Sequence, residues 1–234
     1  MKSVLLRRYY AILDILYKII WNIRLASRPT TMVLMYHEVS DDYPSDSCHH
    51  TVDEFQNTMD RFEKQGAKFI PIDYLFCARK DNQMSDECVV TFDDVPDSFY
   101  CNAYPILKKK NIPFTLFVSQ KYIGEKGFLS EIQLKELSND PLCTIAAHTI
   151  SHCMLRYANN SMDEMLQSKL RLEHLIGKRV DYLAYPYGKH SSVSCRVRRQ
   201  ARLCGFNAAF GTIDAPITRF TLFFRYYLPR MVVR

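Results

Sequence analysis

Two groups of side chains in this sequence have the types and spacing for chemistry. The first is Asp93-Asp94, which ends the apolar run Val89-Val90-Thr91-Phe92. Two carboxylates on adjacent residues each make ionisation of the other costlier unless positive charge lies near. The second is "HTISH", residues 148–152, in which His148 and His152 stand four apart. On a helical turn that spacing puts both imidazoles on one face, a metal-chelating arrangement. Two histidines and one carboxylate form a known catalytic zinc set that leaves a coordination position for water. Asp94 supplies the third ligand in this reading, and a divalent cation lets it stay ionised beside Asp93. Asp93, close but not ligating, then suits a general base. A lone pair of aspartates would more simply cap the following helix. Its conjunction with HTISH favours a site.

The elements that would carry these groups alternate. Strands are expected at 31–36, 67–72, 89–92, 113–119, 143–148, 181–188 and 206–212. Helices are expected at 51–65, 98–110, 130–138, 161–176 and 193–205, the first opened by a Thr51/Glu54 capping pattern and closed by Gly66. Regular alternation implies βαβ units and a mostly parallel sheet, closed or nearly so. In such folds chemistry gathers at the carboxyl ends of the strands. His37, Asp93, Asp94, His148, His152 and "YPYG" at 185–188 all fall there. Of the remaining candidates, His49 and His50 read as surface loop, and His174 and His190 as residues without a functional role. Tyr157, Tyr182 and Phe210 read as core.

The chain has 234 residues, 47% hydrophobic and 24% charged, which suits one large α/β domain and excludes a disordered chain. None of its eight cysteines is spaced C-x-x-C, which argues against a zinc ribbon or a dithiol redox site, and scattered thiols fit a reducing compartment. The net charge of +6 is concentrated: residues 1–30 carry +5, with Asp14 their one acid. The body is nearly neutral, so a nucleic-acid surface is excluded. Residues 1–28 are expected to form a basic amphipathic helix ahead of a domain at 29–234. Ser3, Arg7, Asp14, Lys18 and Asn22 make its polar stripe. Arg8, Asp14 and Lys18 interrupt the roughly twenty apolar residues a membrane span needs, and the stretch lacks the unbroken apolar core of a secretory signal. Two roles remain open: packing on the domain or a second copy, and peripheral contact with an anionic membrane. The expected location is the cytoplasm, at the inner face of the membrane.

"TFDD" at 91–94, "HTISH" at 148–152 and "YPYG" at 185–188, in that order, resemble the motifs of the polysaccharide deacetylase family, the NodB-homology or carbohydrate esterase 4 group. "LMYHEVSDD", "NAYPILKKKNIPFTLFV" and "YYLPRMVV" extend the resemblance from about Thr31 to the end of the chain. It implies a distorted (β/α)7 barrel that removes acetyl groups from sugars with a divalent metal: zinc by default, with nickel, cobalt or iron as alternatives. By position, Asp93 resembles the catalytic base, and Asp94, His148 and His152 the metal ligands. The Tyr187 N–H resembles the oxyanion donor, with Pro186 and Gly188 as substrate-binding or supporting residues. Thr149 and Ser151 would brace the ligand loop. The implied substrate is an N-acetylated sugar of a surface polysaccharide or its lipid- or nucleotide-linked precursor. Three departures stand out. Val95 replaces the usual glycine, and because valine disfavours positive φ the loop is expected to turn differently. Ala184 replaces the arginine that steadies the base, and Arg230 is the candidate substitute. The C-terminal Leu-x-His is missing; His37 in "MYHEV" matches the histidine that replaces it in one branch of the family, as general acid. The rival readings are an O-acetyl esterase, a phosphoester hydrolase, disfavoured because no Arg/Lys cluster marks the strand ends, and a non-catalytic glycan-binding or scaffold domain.

Overall fold

In the computed structural model, residues 2–23, 31–42, 49–77, 87–218 and 221–233 are described. The β-branched and aromatic runs form strands around one parallel sheet: β1 (Thr31–Tyr36), β4 (Lys68–Phe69), β5 (Glu87–Asp93), β6 (Phe114–Val118), β7 (Cys143–Ala147), β8 (Tyr182–Ala184), β9 (Ala208–Phe210) and β10 (Met231–Val232). β2 (Glu38–Val39) and β3 (His49–His50) form a separate parallel pair, so His49 and His50 lie in strand and not in loop. The large sheet runs β10-β1-β5-β6-β7-β8-β9, with β4 paired to the start of β5. β1 and β5 match residue for residue from Thr31↔Glu87 to Tyr36↔Phe92. At the far edge the sheet curls back: Leu228, just before β10, bridges Phe210 of β9, with Leu228 N–H donating to Ala209 O at 2.9 Å and Gly211 N–H to Leu228 O at 2.8 Å. This is the distorted barrel expected from the motifs.

Among the described residues, six α-helices accompany the strands: α1 (Lys2–Ile23), α2 (Val52–Lys64), α3 (Tyr104–Lys110), α4 (Glu131–Ser138), α5 (Ser161–Ile176) and α6 (Cys195–Leu203). α2 starts with the expected capping box, the Thr51 hydroxyl accepting from Glu54 N–H while the Glu54 carboxylate accepts from Thr51 N–H. The segment expected as one helix over 98–110 begins instead with a π-helical turn at Phe99–Ala103. The strand expected over 67–72 stops after Phe69, because Pro71 has no N–H for the ladder and opens a 3-10 turn at Ile72–Phe76.

The period of two along each strand separates two cores. Val33, Val89, Phe117, Ala146, Ala184 and Phe210 point into the barrel. Leu34, Tyr36, Val90, Phe92, Leu116 and Val118 point out, against helical residues such as Phe55, Met59 and Leu107. On β5 the inward series Val89, Thr91, Asp93 carries a carboxylate into the barrel mouth. Tyr182 and Phe210 are buried as expected, but Tyr157 is 61% exposed and is not core.

Candidate active site

Asp93 is 2% exposed and faces Arg230, which is fully buried. The guanidinium makes two parallel hydrogen bonds, Nη1 to Oδ1 and Nη2 to Oδ2, each 2.6 Å. Its Nε donates to the Gly211 carbonyl at 3.1 Å and its plane sits 5.0 Å from the Phe117 ring centre. Thr91, two residues before Asp93 on the same face, accepts from Nη1 and donates to the Leu34 carbonyl at 2.9 Å. Burial alone would raise the Asp93 carboxyl. The Arg230 charge and hydrogen bonds, with His148 and His37 nearby, overcome that and hold it well below the usual carboxylate range.

Asp94 lies one residue on and behaves oppositely. Burial raises its carboxyl, Asp93 adds to the rise, and His148 offsets it. Its Oδ1 is buried with no hydrogen-bond partner among the described residues. That orphaned oxygen stands 3.5 Å from His152 Nε2 and 3.8 Å from His148 Nε2. The His148 Nδ1–H donates to the Ala184 carbonyl at 2.8 Å, which leaves the Nε2 lone pair free and aimed at Asp94. One donor atom from each of the three residues falls within 4.8 Å of the others. Donors held about 2.1 Å from a zinc ion at tetrahedral angles stand about 3.4 Å apart, so the cluster needs little adjustment to hold one. Burial lowers the pKa of both histidines, keeping them in the neutral form that ligates.

The backbone around these ligands is bent out of regular structure. Asp94 and Val95 both have positive φ, 58° and 57°, so valine takes the left-handed turn and the expectation of a different loop is overturned. The conformation costs a β-branched residue about 1–3 kcal/mol. It is retained where Val95 is 1% exposed, packed into the outer core. HTISH is not a helical turn either. Thr149 and His152 have φ of 67° and 54°, and the chelating geometry comes from a loop. The Thr149 hydroxyl accepts from His152 N–H at 3.2 Å. The Ser151 hydroxyl donates to Glu164 at 2.9 Å, and the same carboxylate accepts the N–H groups of Ile150 and Ser151. Glu164, on α5, is thus a brace of the ligand loop that no motif pointed to.

Across the mouth, Tyr187 has φ 63° and is 51% exposed, with its ring 5.1 Å from that of His152. Its carbonyl accepts from the Thr212 hydroxyl at 2.9 Å, while no described residue accepts its N–H. Gly188 must be glycine, since a Cβ there would stand 2.5 Å from the Thr212 side chain and 2.6 Å from its nitrogen. Pro186 precedes this turn in the segment following β8. His37 sits between β1 and β2 with its Nδ1 buried and without a partner among the described residues, near enough for its charge to act on Asp93, Asp94 and His152.

Residues 80–209 match the family model for polysaccharide deacetylases, which is more than half of the chain. YxkH of Bacillus subtilis (strain 168), whose name places it in the same family, is 31% identical over 163 residues, covering 68% of this chain. The chain belongs to the polysaccharide deacetylase family. It is also 27% identical over 198 residues, 77% of its length, to a Staphylococcus aureus (strain MRSA252) poly-beta-1,6-N-acetyl-D-glucosamine N-deacetylase. The matches span 57% and 66% of those two relatives' lengths. In fold, this deacetylase-family chain is similar to the Streptococcus pyogenes deacetylase PplD solved with acetate (TM-score 0.78, 22% identity, 88% of this chain and 93% of that one). It is similar too to IcaB from Ammonifex degensii (TM-score 0.72, 24% identity, 88% and 92%). Within the deacetylase family pattern, Arg230 reaches Asp93 from just before β10, where Ala184 offers only its carbonyl, and that carbonyl serves His148. His190 is 5% exposed and paired with Asp14 of α1, a contact that ties the helix to the body.

Proposed function

We propose that this protein is a metal-dependent hydrolase that removes the acetyl group from an N-acetylated sugar. The observation that carries the reading is the division of labour between adjacent aspartates. Asp93 is locked ionised by Arg230, while Asp94 offers an unpaired oxygen to two neutral histidines. Zinc suits one carboxylate and two imidazoles with a position left open, and nickel, cobalt or iron take the same donors. A bound ion would supply Lewis acidity, lowering the pKa of water and polarising an acetamide carbonyl.

The chain's own residues perform the rest. Asp93 Oδ2 lies 4.0 Å from His148 Nε2, so it borders the ligand cluster and takes the proton of the attacking water. The Tyr187 N–H, unclaimed among the described residues and held by the Thr212 and Gly188 packing, meets the negative oxygen as the carbonyl becomes tetrahedral. His37 returns a proton to the sugar nitrogen as the C–N bond breaks, giving acetate and a free amine. Val95 supports catalysis over a binding-only domain, because the turn that presents Asp94 is kept despite the substitution.

Acetate release from N-acetylglucosamine oligomers and from O-acetylated sugars, by wild type, Asp93→Asn and His37→Ala, tests the reading. Wild type releases acetate from the amide substrate, and Asp93→Asn loses about 10²–10⁴ in kcat with metal content unchanged. Release from esters alone would make the protein an esterase. Full turnover by His37→Ala would remove that residue's role, and full turnover by Asp93→Asn would remove the mechanism.

A further inference from the structure

α1 presents its faces the wrong way round for a helix that packs on a soluble domain. Asp14, Lys18, Tyr10 and Tyr17 touch the body. Asp14 Oδ1 accepts from the His190 backbone N–H at 3.1 Å and pairs with His190 Nδ1 at 2.6 Å. Lys18 binds Asp214 at 2.6 Å. The Tyr10 hydroxyl accepts from Arg156 Nη1 at 3.0 Å, with the guanidinium 4.5 Å from the Tyr10 ring centre, and Tyr17 packs 4.5 Å from the His190 ring. On the opposite side, Leu5, Tyr9, Ile12, Leu16 and Ile19 recur at steps of four and three and are 45–62% exposed. The row runs about 21 Å along the helix. Water gains nothing from such a stripe, and the docked polar face fixes it outward.

The anchors also fix where the stripe lies. Arg156 follows the HTISH loop after β7, His190 follows the Tyr187 turn after β8, and Asp214 follows Gly211 after β9. All three belong to segments leaving the carboxyl ends of strands, the end that carries the metal-ligand cluster. α1 therefore lies along the catalytic rim.

Charge selects the occupant of the stripe. The one acid of residues 1–30, Asp14, is turned inward onto His190, while Arg7 and Arg8 stay exposed. What α1 shows to the outside is apolar and basic, without a carboxylate. A second copy would bring like charges together, whereas an anionic lipid surface accepts both the apolar row and the arginines. Among the described residues no helix is long and apolar enough to cross a membrane, so the contact is one of lying on the surface. We infer that α1 is an interfacial helix that seats the catalytic rim on an anionic lipid bilayer, and that the substrate is therefore a glycan presented at that surface on a lipid carrier. The second half rests on the deacetylase reading; the first does not.

Sedimentation of the full chain with vesicles of phosphatidylglycerol and phosphatidylcholine, against phosphatidylcholine alone, tests the surface. Wild type pellets with the anionic vesicles and is released by salt. The double variant Ile12→Glu/Leu16→Glu, at two positions of the exposed row, binds at least roughly tenfold more weakly with unchanged melting temperature and metal uptake. Equal binding by the variant, no binding by wild type, or a solution dimer that the variant dissociates would overturn the inference. Acetate release is then compared on a soluble N-acetylated oligosaccharide and on the same sugar tethered to a lipid in those vesicles. Wild type prefers the tethered form and the variant loses the preference; equal rates on both forms by wild type would overturn the substrate assignment. Inactivity on both forms, with vesicle binding intact, would remove the deacetylase reading and with it the substrate assignment, while the surface assignment would stand.

Discussion

Replacing Arg230 with methionine separates charge from volume at the centre of the barrel. Methionine fills most of the same space, so the change leaves a small cavity at most; what it removes is the cation. Asp93 is 2% exposed and spends both oxygens on Arg230. Stripping one partner from a buried ion pair costs about 3–5 kcal/mol, mainly the penalty of the stranded charge. For a chain of this size each kcal/mol moves the midpoint by about 2–4 °C, so Arg230→Met should melt roughly 6–20 °C lower. Adding Asp93→Asn removes the stranded charge and should recover more than half of the loss. The pair of single variants and the double variant, measured by urea denaturation and by calorimetry, forms a cycle whose coupling energy reports the pair directly. In the single variant burial acts on Asp93 with far less opposition, raising its pKa, so the acid limb of the pH–rate profile should move upward. A loss below about 1 kcal/mol for Arg230→Met, or no recovery on adding Asp93→Asn, would refute the argument that a buried charge pair holds the base.

Other consequences follow from local geometry. Glu164→Ala leaves two loop N–H groups and the Ser151 hydroxyl without their acceptor, and should weaken metal affinity about tenfold or more in competition with a chelator. Val95→Gly should change stability by less than about 1 kcal/mol, because relief of the left-handed valine offsets the lost apolar contact. Val90→Gly, in regular strand, should cost more than about 3 kcal/mol by the same denaturation assay. Burial would raise the Asp140 carboxyl, but Lys108, the Leu142 N–H and the Tyr104 hydroxyl outweigh it and hold the pKa below its ordinary value. Its contribution is therefore present above the unfolded pKa of about 3.9 and lost as pH falls through the depressed folded value. The melting-temperature gap between wild type and Asp140→Asn should be open at neutral pH and close on acidification below about pH 4. A gap that does not depend on pH would contradict this.

Much of the site could be read from residue types alone, because strand ends are where parallel sheets expose polar groups. Asp93, Asp94, His148, His152 and Tyr187 stand together in the fold for that reason. The geometry that makes them useful was less visible. The spacing of His148 and His152 suggested a helical turn, yet left-handed Thr149 and His152 produce the same proximity by another route. Propensity argued against a left-handed Val95, and tertiary packing overrode it. Glu164 sits in an ordinary amphipathic helix, and its role depends on where α5 passes the loop, which periodicity does not encode. α1 shows the same limit most clearly. Its two faces were plain in the pattern, but a pattern does not say which face meets the body. That was decided by partners more than a hundred residues away, His190 and Asp214. The strand β10 is two residues long and carried no periodic signal, although the arginine just before it was recognisable.

In the proposed reaction, one divalent ion held by Asp94, His148 and His152 drives acetate release with Asp93 as base. Metal content and acetate release measured on the same samples, for wild type, chelator-treated protein, chelated protein given zinc back, and His148→Ala, test it most directly. The expected result is about one ion per chain, loss of both signals on chelation, their joint return with zinc, and neither in the histidine variant. Acetate release that persists in chelated protein or in His148→Ala would contradict it.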